Sequence, residues 1–195
     1  MGNCQKINSM HLDSIQFKEI VKPSAWKAIL GEKTPTNVAI MAASREGQGK
    51  TTFALAFARD FVKYGNGRVA YISSEQFGSP IFTDQVKRIK AQNPALDIFS
   101  NINTDFNPYN FLIIDSINDL HLTDKDIEKL RIQYPDKAFL IIVRQNHDGS
   151  YRGKGATDIG FDVDITVEMK QGVATNNKNR CGACGEMDIF EYVGS

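Results

Sequence analysis

Eight consecutive residues, Ser44-Arg45-Glu46-Gly47-Gln48-Gly49-Lys50-Thr51, constrain this chain more than any other part of it. They follow the near-continuous apolar run Asn37-Val38-Ala39-Ile40-Met41-Ala42-Ala43, the pattern of a strand buried on both faces. They precede Thr52 to Lys63, where Phe53, Phe57 and Phe61 recur at i, i+4 and i+8 and so share one helical face. A glycine-bearing loop ending in Gly-Lys-Thr between a buried strand and a helix has the form of a phosphate-binding P-loop, with Ser44 where the first glycine is usual. In such a loop successive backbone N–H groups wrap a phosphate, Lys50 reaches the β- and γ-oxygens, and the Thr51 hydroxyl sits on Mg²⁺. Ser44, Arg45, Glu46, Gly47, Gln48, Gly49, Lys50, Thr51 and Thr52 are therefore the expected ATP-binding residues.

The rest of the pattern is that of an α/β domain. Arg68 to Ser74, Leu96 to Ile102, Phe111 to Ile114 and Ala138 to Val143 read as strands. Thr83 to Gln92, stopped by Pro94, and Asp124 to Tyr134, closed by Pro135, read as helices. Strands separated by helices imply right-handed crossovers and a mainly parallel central sheet flanked by helices. After a glycine-rich loop from Gly149 to Gly160, the segments Asp164 to Lys170, Val173 to Asn179 and Met187 to Val193 read as a C-terminal antiparallel meander turning at Gln171-Gly172. Residues 1–35 read as an N-terminal lead-in with a short helix Ala25 to Leu30 capped by Ser24, and residues 36–195 as one core.

Composition bounds the partners. With 23 Lys+Arg against 23 Asp+Glu the net charge is zero, which excludes a globally basic nucleic-acid coat protein and an acidic tail, so any polyanion contact is local. Cys4, Cys181 and Cys184 are an odd count without a secretory leader, and no apolar run approaches the roughly 18 residues of a membrane span. The expectation is a soluble, cytoplasmic protein that does not enter a membrane. Lys6 stands where a myristoylation signal needs Ser or Thr. Cys181 and Cys184 have the spacing of half a zinc site but lack a second ligand pair, and are read as part of a turn.

Three strand ends carry further chemistry. Asp115 closes the Phe111–Ile114 run, where a carboxylate would hold magnesium. Glu75 follows the second strand and could deprotonate a water attacking the γ-phosphate. Gln145 ends another core strand on the same edge and could sense the γ-phosphate. The bland alternative is a turn-capping carboxylate for Asp115 and a solvated strand-end residue for Glu75 and Gln145. The P-loop upstream favours the functional reading.

Four motifs together, Ala42 to Leu55, Tyr71-Ile72-Ser73-Ser74-Glu75, Leu112-Ile113-Ile114-Asp115-Ser116-Ile117 and Lys178-Asn179-Arg180-Cys181-Gly182, resemble in order and spacing the RecA-like ATPase core, with RadA/Sms DNA-repair proteins and DnaB-type helicases nearest. The resemblance implies that Glu75 is the catalytic base and that Asp115 coordinates magnesium with Thr51. It also implies that Lys178 and Arg180, matching a Lys-Asn-Arg-aromatic-Gly signature with Cys181 in place of the aromatic, reach the nucleotide of a neighbouring subunit in a ring or filament. The zinc and protease-like modules of RadA/Sms and the N-terminal helical domain of DnaB-type helicases have no counterpart in these residues, and the interval from Glu75 to Asp115 is short for the family.

RecA-like proteins project a mobile loop toward single-stranded DNA at the place that follows Gln145 in this chain. Here that place is taken by Asn146 to Gly155, where Arg152 and Lys154 offer phosphate contacts and Tyr151 an aromatic face. The sequence thus reads as a Mg²⁺-dependent ATPase acting on single-stranded DNA in recombination, repair or replication. The alternative is a nucleotide-dependent regulatory or adaptor module with slow or absent hydrolysis. A small-molecule kinase is disfavoured because no arginine-rich lid is present and Glu75 suits water as the acceptor.

Overall fold

The computed structural model describes residues 9–10, 16–153, 155–182 and 185–194. Eight strands form one sheet: β1 (Ala39–Ser44), β2 (Val69–Ile72), β3 (Leu96–Phe99), β4 (Phe111–Ile114), β5 (Ala138–Arg144), β6 (Ile165–Lys170), β7 (Val173–Asn179) and β8 (Glu186–Asp188). Their order across the sheet is β3-β2-β4-β5-β1-β6-β7-β8; the first six run parallel and the last two antiparallel. The helices are α1 (Lys27–Leu30), α2 (Lys50–Lys63), α3 (Pro80–Arg88), α4 (Asp124–Gln133), α5 (Ala156–Asp162) and α6 (Ile189–Gly194).

The central strands are apolar throughout because both of their faces are covered. On β1, Ile40 and Ala42 join a core with Trp26, Phe53 and Phe57, while Ala39, Met41 and Ala43 join a second core with Ile117 and Ile159. The phenylalanine stripe of α2 meets Trp26 on one side, with ring centroids 5.3 Å from Phe53 and 4.9 Å from Phe57, and Phe111 on the other, 4.9 Å from both Phe57 and Phe61. Residues 20–30 are thereby built into the same core as the sheet. Asp60 ties this arrangement together: the buried carboxylate accepts hydrogen bonds from Trp26 Nε1 (2.7 Å), Arg59 Nε (2.8 Å) and Tyr192 Oη (2.5 Å). Among the described residues, no helix is long and apolar enough to cross a membrane.

The structure corrects four sequence readings, the first being the Ser24 cap: Ser24 begins a 3-10 turn, Ser24–Trp26, and α1 starts only at Lys27. α3 starts at Pro80, three residues before Thr83, because Ser79 accepts from the Phe82 amide and Pro80 occupies the first helical position. The second half of the 149–160 loop is helix α5, opened by Gly155 in the left-handed region and anchored by buried Ala156 and Ile159. The meander's last segment is a strand only to Asp188; there the side chain accepts from the amides of Phe190 and Glu191, and α6 begins. The β6–β7 turn is at Gln171-Gly172, both with positive φ (49° and 86°), as a two-residue hairpin turn requires.

Candidate functional site

The loop 45–49 lies between β1 and α2 at the carboxyl edge of the sheet, where β2, β4 and β5 also end. Open parallel sheets bind ligands at this edge. Gly47 (φ 74°) and Gly49 (φ 101°) take up left-handed backbone that leaves the loop's N–H groups free to turn toward a ligand. Ser44 is fully buried; its Oγ donates to Arg45 O (2.7 Å) and accepts from Lys50 Nζ (2.9 Å). The departure from glycine thus gives the lysine an anchor. Lys50 Nζ donates also to the carbonyls of Ser44 (3.1 Å) and Arg45 (2.7 Å), and burial lowers its pKa against the pull of Asp115. A desolvated ammonium folded onto neutral oxygens is stabilised by an anion placed beside it. Gln48 fastens the loop to the β6–β7 turn: its Oε1 accepts from Gln171 N (2.7 Å) and its carbonyl from Gly172 N (3.1 Å).

Asp115 stands immediately past β4. Its Oδ2 accepts from Tyr71 Oη (2.5 Å) and from Thr51 Oγ1 (3.1 Å). Burial raises the Asp115 pKa, opposed by the Tyr71 and Thr51 hydrogen bonds and by Lys50. A carboxylate and a hydroxyl in contact at the cavity wall are the hard oxygen donors that suit Mg²⁺, so the residues fit that ion. Tyr71, fully buried and pushed to a higher pKa by burial and by Asp115, holds the carboxylate's orientation; nothing in its strand sequence marks it for this role.

Glu75 lies three residues past β2 and accepts from Arg144 Nη2 at 2.6 Å; the same nitrogen is 2.9 Å from Asp119 Oδ2. Burial and Asp119 raise the Glu75 pKa, while Arg144 lowers it. Arg144 lines the site and Asp119 reaches it through Arg144, and neither carries a sequence signal of that role. Gln145, in contrast, turns toward Glu168 (Nε2 to Oε1, 3.4 Å) and pairs through its backbone with Tyr151; it does not line the cavity.

Lys50, Thr51, Asp115, Glu75 and Arg144 line one cavity of about 650 Å³, within the range of small-molecule sites. Gln85 from α3 and Phe190 and Val193 from α6 continue its wall.

The remaining predicted residues lie elsewhere. Tyr151 is half-buried and packs against the core beside Met41, near Gly160, rather than standing free in the loop. Arg152 is exposed, held by its backbone to Arg144 O (2.7 Å) and by Asn118 Nδ2 at its carbonyl (2.5 Å). Lys154, Cys4 and Cys184 lie outside the described residues. Lys178 is not turned outward: its Nζ donates to the carbonyls of Gly160 (3.2 Å), Phe161 (2.7 Å) and Val163 (2.6 Å), closing the end of α5. Arg180 is exposed, with only Asp164 Oδ1 at 3.5 Å. Lys178 sits at the far end of β7 and Arg180 just past it, roughly 20 Å or more from the P-loop edge at the usual rise per residue. The far half of β7 is not a free edge, since Asn176 and Asn179 donate to Ile29 O of α1 (3.1 and 2.9 Å).

No protein-family profile and no curated protein sequence matches this chain. Among solved structures, flagellar accessory protein FlaH from Methanocaldococcus jannaschii is similar with a TM-score of 0.66 and 16% identity, covering 87% of this chain and 92% of that one. The nearness to RadA/Sms and DnaB-type proteins stays with the four sequence motifs. At that identity the structural likeness speaks for architecture alone, and with the sheet order it establishes that the chain has a RecA-like α/β fold with a C-terminal antiparallel meander.

Proposed function

We propose that this chain binds ATP with Mg²⁺ in the cavity at the carboxyl edge of the sheet and hydrolyses it. The observation that carries the reading is the convergence of Lys50, Thr51, Asp115 and Glu75, from three separate chain segments, on one cavity beside the glycine-bearing loop 45–49. Lys50 exchanges the Ser44 and Arg45 oxygens for β- and γ-phosphate oxygens. Thr51 and Asp115 would hold Mg²⁺, whose charge would neutralise the phosphates. Glu75, its pKa raised by burial, accepts the proton of the attacking water once Arg144 releases it. A cytoplasmic location belongs to the same reading.

Arg180 lies too far from its own P-loop to act there, which supports action on the nucleotide of a neighbouring copy in a head-to-tail ring or filament. Coupling to single-stranded DNA rests on the motif resemblance and on exposed Arg152; with Tyr151 packed away, phosphate contact is the mode it leaves. A second reading, a nucleotide-dependent accessory or regulatory module with slow turnover, is favoured by the Glu75–Arg144 ion pair, which engages the base, and by the likeness to a flagellar accessory protein.

The test is ATP binding and turnover, with and without single-stranded DNA at two salt concentrations. Lys50→Ala should lose ATP affinity, and Glu75→Gln should keep binding and lose turnover. Full ATP affinity in Lys50→Ala refutes the site. Tight binding without turnover in the unmodified protein selects the accessory reading, and rates indifferent to DNA remove the DNA coupling.

A further inference from the structure

We infer that the part of the cavity between α3 and α6 is a base subsite for adenine, with Phe190 as its stacking surface and Gln85 as the acceptor for the exocyclic amine. The inference rests on the nucleotide reading above and names the base that the site takes. Among the described residues, Gln85 Oε1 is the one buried side-chain oxygen or nitrogen without a hydrogen-bond partner, and Gln85 lines the cavity. A buried carbonyl left unpaired is unfavourable, and a ligand N–H relieves it.

Phe190 supplies the second element. The residue is 47% exposed and lines the cavity, although most large apolar side chains here are buried. It also rests directly on the phosphate-binding loop: a Cβ at Gly49 would come within 3.0 Å of the ring, and one at Gly172 within 2.2 Å. Two glycines therefore admit an aromatic ring beside the loop at the cavity wall. α6, which carries Phe190, is fixed to α2 by the Tyr192–Asp60 hydrogen bond, so the ring is positioned before a ligand arrives. An aromatic ring adjoining a phosphate cradle, with an unpaired acceptor on another residue of the same cavity wall, fits a heteroaromatic base bearing an amine; a bare polyphosphate or a sugar phosphate would leave Gln85 unmatched.

The experiment measures equilibrium binding of ATP, purine riboside triphosphate (the same ring without the amine) and inorganic tripolyphosphate, all with Mg²⁺. The proteins are the unmodified chain, Gln85→Leu and Phe190→Leu, the last keeping an apolar cover over the glycines. ATP should bind about tenfold more tightly than purine riboside triphosphate, the scale of one buried hydrogen bond. Gln85→Leu should abolish that preference. Phe190→Leu should weaken both nucleotides alike, by roughly tenfold, through lost stacking. Tripolyphosphate should bind all three proteins equally. Equal affinity for the two nucleotides, a preference that survives Gln85→Leu, or a Phe190→Leu that weakens tripolyphosphate as much as ATP overturns the subsite and leaves the phosphate site standing. Failure of ATP and tripolyphosphate alike to bind the unmodified protein overturns the nucleotide reading and the subsite with it.

Discussion

Replacing Asp60 by alanine removes one carboxylate on which three elements converge. Trp26 Nε1 and Tyr192 Oη would lose their acceptor, and Arg59 its ion-pair partner at 2.8 Å. The pair is largely out of solvent, with side-chain exposures of 19% for Arg59 and 5% for Asp60, so the loss belongs with buried rather than surface ion pairs. Removing one member of a buried pair costs about 3–5 kcal/mol, because the partner keeps its desolvation penalty. At about 2–4 °C per kcal/mol for a domain of this size, the melting temperature should fall by roughly 6–20 °C. Trp26 is the only tryptophan, so its emission reports this locus directly while circular dichroism reports the whole fold. The emission of Asp60→Ala should be altered in the folded protein and its transition should come early. Tyr192→Phe, which deletes one donor, should cost only about 1 kcal/mol. An Asp60→Ala protein melting within 2 °C of the parent, with unchanged emission, would refute the carboxylate's role as a node.

Asp115→Asn should stabilise the ligand-free protein at neutral pH. The folded-state pKa of Asp115 is raised, so its favourable contribution exists below the unfolded value and is lost as pH rises through the folded one; the gain from Asn should fade on acidification, and an Asn variant melting below the parent at pH 7 contradicts the assignment. The same variant should lose Mg²⁺-dependent ATP affinity in a titration. Arg144→Ala removes the group that lowers the Glu75 pKa, so the acid limb of the pH–rate profile should move to higher pH; an unmoved limb would separate Arg144 from the base. Arg180→Ala should bind ATP but turn it over poorly and regain activity on mixing with Lys50→Ala, whereas Lys178→Met should chiefly lower the melting temperature by freeing the α5 carbonyls; no recovery on mixing rejects action in trans.

The parallel strands were legible because strands covered on both faces cannot be other than apolar, and the runs at Ala39, Phe111 and Ala138 stand out for that reason. Helix starts were read less well where the punctuation lay outside the expected window: Ser79-Pro80 and Asp188 are helix-opening signals, yet Thr83 and Met187 begin the more conspicuous patterns. α5 was hidden by Gly153, Gly155 and Gly160, which read as loop, while its anchoring depends on Ala156 and Ile159 meeting a core built from distant strands. In the site, the P-loop, Asp115 and Glu75 lie at strand ends that a motif can mark. Tyr71, Arg144 and Gln85 enter it through contacts or cavity walls formed by segments far apart in the chain, which only packing reveals.

The β6–β7 hairpin is fastened at both of its ends. At the P-loop edge, the Gln171 and Gly172 amides are bonded to Gln48, a member of the phosphate loop itself. At the other edge, Lys178 grips the last carbonyls of α5, and Arg180 projects just beyond. Between them runs a paired ladder with one register break, at Thr166–Val167. Such a hairpin is a strut spanning the domain: a displacement of Gln48 by a bound phosphate would load its near end, with the bulge lying between that end and Arg180. Amide hydrogen exchange at Arg180, whose N–H is bonded to Asp164 O at 3.0 Å, would report such a load from the opposite side of the molecule, and exchange unchanged by nucleotide would show that the strut does not carry it.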